Sequence, residues 1–261
     1  MVLGFDTATH ATAVALLLGD GAILRARDDP GPGEHPGHAT RLLPMAGELL
    51  AAAGAGWRDL DRVAVGVGPG AFTGLRVGVA TARGLAQSLS VDLVGVSSPA
   101  ALARAALAAP PNGSAFSAGE GSREKVDERM LAIIDARRGE IFAGAFRRSG
   151  GDGIRELVSA RAIAPEHLDA VIALAQEHGA GPGRWLAAGD GAVRYREQLQ
   201  GAETVIPEDS SPLHLIDAGM ICQLGAEAPP VAAEQLLPDY RRRPDAELAP
   251  PPLATRGAVS P

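Results

Sequence analysis

Residues 68–89 read GPGAFTGLRVGVATARGLAQSL, a glycine-rich turn that runs directly into a predicted helix. Gly68 and Gly70 allow close backbone approaches that side chains forbid, and Thr73 is placed to cap the helix. Such a turn presents backbone N–H groups at a helix start, where anions are often held. A Walker loop would close with Lys-Ser or Lys-Thr, but the only lysine of the chain is Lys125. The stretch therefore predicts an anion-binding turn without ordinary P-loop NTPase chemistry.

The predicted helix carries small residues at every fourth position, namely Gly74, Gly78, Ala82 and Ala86. This spacing places them in one line along one face, where another element can approach closely. Each glycine costs a helix about 1 kcal/mol relative to alanine, so close packing has to offset a real penalty. Two interpretations stay open at this point: packing inside the same domain, or docking of a partner.

Upstream of this stretch, the chain opens with a predicted strand that ends in a polar turn. Val2 to Phe5 is apolar, and Asp6, Thr7 and Thr9 follow it. A carboxylate and two hydroxyls in such a turn could meet a phosphate or a metal-bound water; a plain polar hairpin end is the alternative.

The remaining patterns predict a mixed α/β protein, with an opening antiparallel meander followed by strand–helix–strand units. Asp20-Gly21 predicts a hairpin turn. Further strands are predicted at 11–18, 22–27, 60–67, 91–96, 130–135, 140–146, 185–188 and 204–206, and helices at 38–53, 165–177 and 211–225 and from Ser98 onward.

Composition excludes several classes of protein. The formal net charge is -7 and aromatic residues make up 3% of the chain, so neither a broad electrostatic footprint for nucleic acid nor an aromatic stacking platform is indicated. The single cysteine, Cys222, excludes an internal disulfide and is expected to be a buried thiol. No signal sequence or membrane-spanning apolar run is recognised, which predicts a soluble cytoplasmic protein without membrane contact.

Four motifs stand out in the chain: DTAT at 6–9, GPGAFTGLRVGVATARGLA at 68–86, LVGVSS at 93–98 and LAIIDARRGEIFAGAF at 131–146. Together they resemble the TsaB family, also called YeaZ. Pro238-Asp239-Tyr240-Arg241-Arg242 is similar to the terminal segment of that family. The resemblance is dense over residues 1–100 and thinner but collinear to about 243.

The resemblance implies an actin-like ASKHA fold, with ribonuclease-H-like mixed sheets and helices in two lobes. The expected limits are 1–103 for the N-terminal lobe, with helix 211–225 packing back on it, and 104–210 for a smaller second lobe. Residues 110–128 and 244–261, both polar or proline-rich, are expected to form a flexible connection and a disordered tail.

The resemblance also implies a function. TsaB-like proteins are non-catalytic partners of TsaD and act with TsaE in N6-threonylcarbamoylation of the adenosine beside the anticodon of tRNAs that read ANN codons. The chain is then expected to have no catalytic residue, no intrinsic cofactor and no metal site, with ATP/ADP and metal on TsaE and TsaD. The expected partners are TsaD in a heterodimer, TsaE, tRNA through the complex, and a second copy of the chain when it is alone.

The resemblance implies that helices 38–53 and 74–89 form the partner interface. The contact residues expected on that basis are His38, Leu42, Met45, Leu49, Gly74, Leu75, Gly78, Ala82 and Leu85. A weak nucleotide or anion contact is expected at Asp6, Thr7, Thr9, Gly68, Gly70 and Thr73. Two departures from the family pattern are Ala71, where many relatives have Ser, and Arg242, where an apolar residue is usual.

Three other functions would each need a feature of their own. A glycoprotease-like metallopeptidase would need converging ligands, and Glu34, His35 and His38 form the only histidine cluster. An ASKHA-type small-molecule kinase or ATPase would need a second phosphate loop, for which Gly189-Asp190-Gly191 is a candidate that reads equally as a hairpin corner. A self-contained RNA-binding module disagrees with the acidic composition.

The polar loop at Asp135, Arg137 and Arg138 is either a solvated hairpin or a contact to a partner or to tRNA. The sequence leaves open which of these it is. It also leaves open whether a nucleotide binds and whether the isolated chain is a monomer or a homodimer.

Overall fold

The computed structural model describes residues 1–31, 33–108, 128–150, 153–201 and 203–241. Within these ranges the strands are β1 Val2–Asp6, β2 Thr12–Leu17, β3 Ile23–Asp28, β4 Arg62–Gly68, β5 Asp92–Ser97, β6 Arg129–Arg137, β7 Glu140–Arg148, β8 Ile154–Ile163, β9 Trp185–Ala188 and β10 Thr204–Val205. The helices are α1 His38–Ala52, α2 Phe72–Leu89, α3 Ser98–Ala108, α4 Leu168–Ala175, α5 Asp190–Arg194, α6 Arg196–Leu199 and α7 Ala218–Glu227.

The described strands form two five-stranded mixed sheets. The first has the order β3-β2-β1-β4-β5, with the meander β1–β3 antiparallel and β4 and β5 parallel to β1. The predicted Asp20-Gly21 turn closes the β2–β3 hairpin, and Gly21 has a positive φ of 90°. This order brings the C-terminal ends of β1 and β4 side by side, which places the polar turn after β1 next to the turn that precedes α2.

The second sheet has the order β10-β9-β6-β7-β8. The sequence reasoning did not predict β8, an edge strand that pairs antiparallel with β7. Register shifts near Ala143 and Ala145 interrupt the strict alternation of inward and outward side chains. The exposed charged residues Arg155 and Glu156 also interrupt the apolar pattern of β8.

Helices cover both faces of the first sheet. Leu42, Met45 and Leu50 of α1 and Val79 of α2 join one apolar cluster with β1 and β4. On the opposite face α7 packs so closely that a methyl group built on Gly4 would lie 2.5 Å from Cys222 Sγ. Cys222 is buried, as predicted, and burial raises the pKa of its thiol to about 12.

The mixed α/β class is confirmed, with corrections to individual elements. The predicted helix 211–225 is wrong in its first half: a short 3-10 turn, Pro212–His214, precedes α7, and Asp217 caps α7 by accepting a hydrogen bond from the N–H of Gly219. The strands of the first sheet lie within residues 2–97, and those of the second sheet lie within residues 129–205. The domain limits stay a prediction. Nearly all of 110–128 and the tail 244–261 lie outside the described residues. No helix in the described part of the chain is long and apolar enough to cross a membrane.

Candidate functional site

The carboxylate of Asp6, at the end of β1, is enclosed by its own chain. Its Oδ1 accepts the N–H of Ala8 at 2.8 Å, and its Oδ2 accepts the hydroxyl of Ser98 at 2.5 Å. Gly66 allows this approach, because a methyl group there would lie 1.8 Å from Asp6 Oδ2. Burial raises the pKa of Asp6, and the bonds from Ser98 and Ala8 oppose that rise. The predicted site residue Asp6 therefore faces inward, and Ser98, which sequence reasoning treated only as a helix start, is its partner.

Thr7 is also fully buried and faces α2. Its hydroxyl donates a 2.8 Å hydrogen bond to the carbonyl oxygen of Gly74. A methyl group on Gly74 would lie 2.0 Å from the carbonyl oxygen of Thr7, and one on Gly78 would lie 2.4 Å from Thr7 Oγ1. The two glycines of the small-residue line are therefore required by the turn after β1.

The glycine-rich turn 68–71 closes on the turn after β1. The N–H of Ala71 donates to the carbonyl oxygen of Ala8 at 2.7 Å, and the N–H of Gly68 donates to Ser98 Oγ at 3.2 Å. A methyl group on Gly70 would lie 2.3 Å from the Ala8 carbonyl oxygen. The predicted cap at Thr73 is wrong, because the helix N-cap is Ala71 and carries no side-chain hydrogen bond.

His38, at the start of α1, is buried beside this turn. Its Nδ1 lies 2.9 Å from Thr12 Oγ1, within hydrogen-bond distance. Burial lowers the pKa of His38, and the nearby His10 adds to that effect. Glu34, from the same predicted cluster, instead accepts the N–H of Gly31. Within the described ranges, no three His, Cys, Asp or Glu side chains come together in a way that could hold a metal ion.

The nine residues expected at a partner interface lie inside the chain or at its edge. Leu85 is half-buried and the other eight are buried, namely His38, Leu42, Met45, Leu49, Gly74, Leu75, Gly78 and Ala82. The small-residue line therefore packs inside the chain, because Thr7 and the sheet occupy that face of α2. Its role at a partner interface stays a prediction.

The outward face of α2 carries a different set of residues. Phe72, Arg76, Ala80 and Gly84 are exposed at spacings of four, and Leu43 of α1 is 44% exposed. A methyl group on Gly84 would meet nothing within 4 Å. The buried line and this exposed line have the same spacing of four residues. Periodicity in the sequence therefore could not show which of the two lines faces solvent.

In the second lobe, Asp190 begins α5 directly after β9. Gly189 has a positive φ of 125°, and a methyl group there would lie 2.0 Å from the carbonyl oxygen of Ile133. The Asp190 Oδ1 accepts the N–H of Asp135 at 3.0 Å, and burial raises the pKa of Asp190 to about 6. Interpreting this segment as a hairpin corner is wrong, because it joins a strand to a helix.

Asp135, beside Asp190, holds two arginines. Its Oδ2 lies 3.3 Å from Arg137 Nη1 and 3.5 Å from Arg194 Nη1, and its Oδ1 accepts the N–H of Arg137. The Asp135 side chain is 6% exposed, whereas the Arg137 and Arg194 side chains are 51% and 55% exposed. Sequence reasoning did not find Arg194, which is 59 positions from Asp135 and has no motif of its own.

Comparison with known proteins assigns the chain to a family. The family model for TsaD, described as tRNA N6-adenosine threonylcarbamoyltransferase, matches residues 34–181. The tRNA threonylcarbamoyladenosine biosynthesis protein TsaB of Escherichia coli K12 is 32% identical over 255 residues, which cover 92% of this chain and 94% of the relative. The chain belongs to the TsaB family.

Two further proteins are similar over nearly the whole chain. YeaZ from Pseudomonas aeruginosa, a solved structure, is 32% identical and superposes with a TM-score of 0.70 over 92% of this chain and 98% of its own. An uncharacterized protein of Mycobacterium tuberculosis H37Rv is 30% identical and covers 94% of this chain and 93% of its own. The mixed α/β fold expected from the sequence, with two sheets and helices, is thereby confirmed as the fold of YeaZ.

The terminal segment that resembles the TsaB family docks on the first lobe. The N–H of Asp239 donates to the carbonyl oxygen of Val67 at 2.8 Å, and the buried Leu236 lies over Gly95. Tyr240 stacks on Phe72 with ring centroids 5.1 Å apart and accepts a hydrogen bond from Arg76 Nε. Arg242, the departure noted above, lies outside the described residues.

Proposed function

We propose that this chain is a non-catalytic subunit that pairs with TsaD, together with TsaE, in threonylcarbamoylation of tRNA adenosine beside the anticodon. The observation that carries the proposal is its 32% identity, over 92% of the chain, to an E. coli protein named for threonylcarbamoyladenosine biosynthesis. In this arrangement ATP, ADP and metal are held by TsaE and TsaD, and tRNA is modified by the complex.

The geometry of the turn after β1 supports a role without phosphoryl transfer. Such chemistry needs a metal ion on the phosphates and a side chain that orients the nucleophile. Both carboxylate oxygens of Asp6 already accept hydrogen bonds from Ala8 and Ser98, and the hydroxyl of Thr7 donates inward to Gly74. The groups that a kinase would direct at its substrate therefore hold the end of β1 against α2, through Thr7, and against the start of α3, through Asp6.

The exposed line on α2 is the best candidate for the surface that meets TsaD. Ala80 and Gly84 are small, so a partner helix could approach the backbone closely, and Leu43 of the neighbouring α1 adds apolar area. Phe72 and Arg76 supply the aromatic and arginine side chains that dominate many interfaces. A second copy of the chain would use the same surface, so the homodimer and the heterodimer are mutually exclusive.

This surface is tested by the variants Ala80→Arg and Gly84→Arg, mixed with TsaD of the same organism and analysed by size-exclusion chromatography. Both positions are exposed, and arginine is a better helix former than glycine, so both variants are expected to fold. Ala173→Arg, at an exposed alanine of α4, is the matched control. We expect co-elution to be lost for the α2 variants and kept for the control; retained co-elution of the α2 variants contradicts the assignment.

The non-catalytic role is tested by reconstitution. We expect modification of tRNA by TsaD and TsaE to require this chain, and the isolated chain to hydrolyse no Mg-ATP. Saturable ATP hydrolysis by the isolated chain would contradict the proposal and favour the ASKHA kinase or ATPase alternative.

A further inference from the structure

The turn between β6 and β7 holds two arginines in an unfavourable backbone conformation. Arg137 has a φ of 65° and Arg138 a φ of 53°, and Gly139 follows at 81°. Hairpin turns of this left-handed kind strongly prefer Asn or Gly, because a Cβ is crowded there. Strained non-glycine residues of this type concentrate at binding sites and ligand clamps. The presence of arginine suggests that its side chain is needed at this position.

The arginine patch is defined here as Arg137, Arg138 and Arg194. All three are exposed, whereas Asp135, which pairs with two of them, is buried beneath. Asp190 and Glu140 are both half-buried, at the starts of α5 and β7. The exposed charged side chains here are therefore the three arginines, and the buried carboxylate of Asp135 holds Arg137 and Arg194.

A fixed guanidinium group suits a phosphate better than a mobile ammonium does. Its planar fork donates two parallel hydrogen bonds to phosphate oxygens, and Asp135 uses only part of the donors of each arginine. Tyr195 lies next to the patch, with its ring centroid 5.7 Å from the guanidinium carbon of Arg194. An aromatic ring beside an arginine is a common platform for an unpaired base.

We propose that the arginine patch binds the phosphate backbone of an RNA, and that this chain thereby contributes its own contact to the tRNA of the complex. The inference rests on the proposed function, which supplies the RNA. The net charge of the chain is -7, so the attraction has to be local. Such a local contact fits a polyanion, because the forks of Arg137 and Arg194, held apart on Asp135, can each engage a separate phosphate.

The test measures tRNA binding and tRNA modification by the complete complex at several salt concentrations. Arg137→Asn/Arg138→Asn removes two charges and replaces them with a residue that adopts the left-handed conformation easily, so the variant is expected to fold. We expect the Kd and KM for tRNA to rise about tenfold, with kcat little changed, and the slope of log K against log salt to fall by about 2. Arg194→Gln should weaken binding in the same sense.

Two controls separate charge from position. Arg58→Gln/Arg184→Gln also removes two exposed arginines. Arg58 lies in the first lobe, and Arg184 precedes β9, at the opposite end of that strand from Asp190. This variant should bind tRNA like the wild type. Arg137→Lys/Arg138→Lys keeps the charge and should retain most of the salt slope. An unchanged slope in the Asn variant, or an equal loss in the Arg58/Arg184 control, would overturn the inference.

The outcomes also distinguish this inference from the proposed function. If the wild-type chain supports modification and the Asn variant binds TsaD more weakly but tRNA normally, the patch is a protein contact and the inference is wrong. If the wild-type chain supports no modification with TsaD and TsaE, the proposed function itself is wrong.

Discussion

The hydroxyl of Thr7 and the carbonyl oxygen of Gly74, 67 residues apart in the chain, are joined by a buried 2.8 Å hydrogen bond. This bond fixes the start of α2 against the end of β1. It also accounts for the small residues of the inner face of α2, since Gly74 and Gly78 leave the space that Thr7 occupies. The turn and the helix are therefore one packed unit.

Gly78 and Gly84 lie in the same helix and should respond oppositely to alanine. Gly78→Ala places a methyl group against Thr7 Oγ1 and should lower the free energy of unfolding by about 1–3 kcal/mol. Gly84→Ala meets no neighbouring atom and should raise it by about 1 kcal/mol. Urea denaturation measures both, and a Gly78→Ala protein as stable as the wild type would contradict this packing.

Ser98→Ala should destabilise the first lobe through Asp6. The variant removes the hydroxyl that donates to Asp6 Oδ2 and accepts the N–H of Gly68. Leaving such buried groups without a partner costs about 1–3 kcal/mol. Ser88→Ala, at an exposed position of α2, should stay within about 0.5 kcal/mol of the wild type. Equal effects of the two substitutions on the urea midpoint would refute the role of Ser98.

Asp190→Asn should stabilise the protein in a pH-dependent way. The folded-state pKa of Asp190 is raised from 3.8 to about 6. The contribution of Asp190 to the free energy of unfolding is therefore complete below about pH 3.8 and is lost as the pH rises through 6. Asn keeps the acceptor for the N–H of Asp135 and never ionises. The stability difference between variant and wild type should grow between pH 4 and 6 and level off near 3 kcal/mol at most, by about 1.4 kcal/mol per pKa unit.

Urea denaturation between pH 4 and 7.5 measures the Asp190→Asn effect. Asp169→Asn, at an exposed position of α4, is a control that should show no such rise. A stability difference that stays constant over this pH range would show that the carboxyl of Asp190 is not desolvated.

His38 should titrate below its ordinary pKa of 6.5, because burial disfavours the charged imidazolium. Its contribution to stability is complete above about pH 6.5 and lost as the pH falls through the lower folded-state pKa, the reverse of Asp190. Burial also lowers the pKa of His214, which packs against Gly189. Following the imidazole proton signals by NMR measures both values, and a His38 midpoint at or above 6.5 would disprove the burial of a neutral ring.

Arg138→Asn should raise the free energy of unfolding by about 1 kcal/mol. Asparagine adopts the left-handed backbone conformation of this position more easily than arginine does, so the substitution relieves strain. Thermal unfolding measures the change. Arg58→Asn, at an exposed arginine away from the hairpin, should give no gain. A loss of stability in Arg138→Asn would mean that the contacts of the arginine side chain outweigh the strain of the turn.

Local patterns were sufficient to predict most of the strands and helices. Apolar runs such as 60–67 and the Asp20-Gly21 turn depend on neighbours in the chain, and their elements appear within a residue or two of the expected limits. β8 was missed because its register shifts depend on pairing with β7. The cap at Thr73 was wrong because the helix begins two residues earlier than expected, where Ala71, the actual N-cap, bonds to Ala8.

The sequence alone determined the class of the fold and the family, because the hydrophobic periods, the turn residues and the 68–86 motif are properties of contiguous residues. Only the tertiary structure decided which face of α2 is free, because two lines of small residues share one period and differ in what lies across from them. It also decided that Asp6 faces Ser98, and that Arg194 joins Arg137 on Asp135. The Asp6–Ser98 and Asp135–Arg194 contacts link residues more than 50 positions apart, where local sequence pattern carries no information.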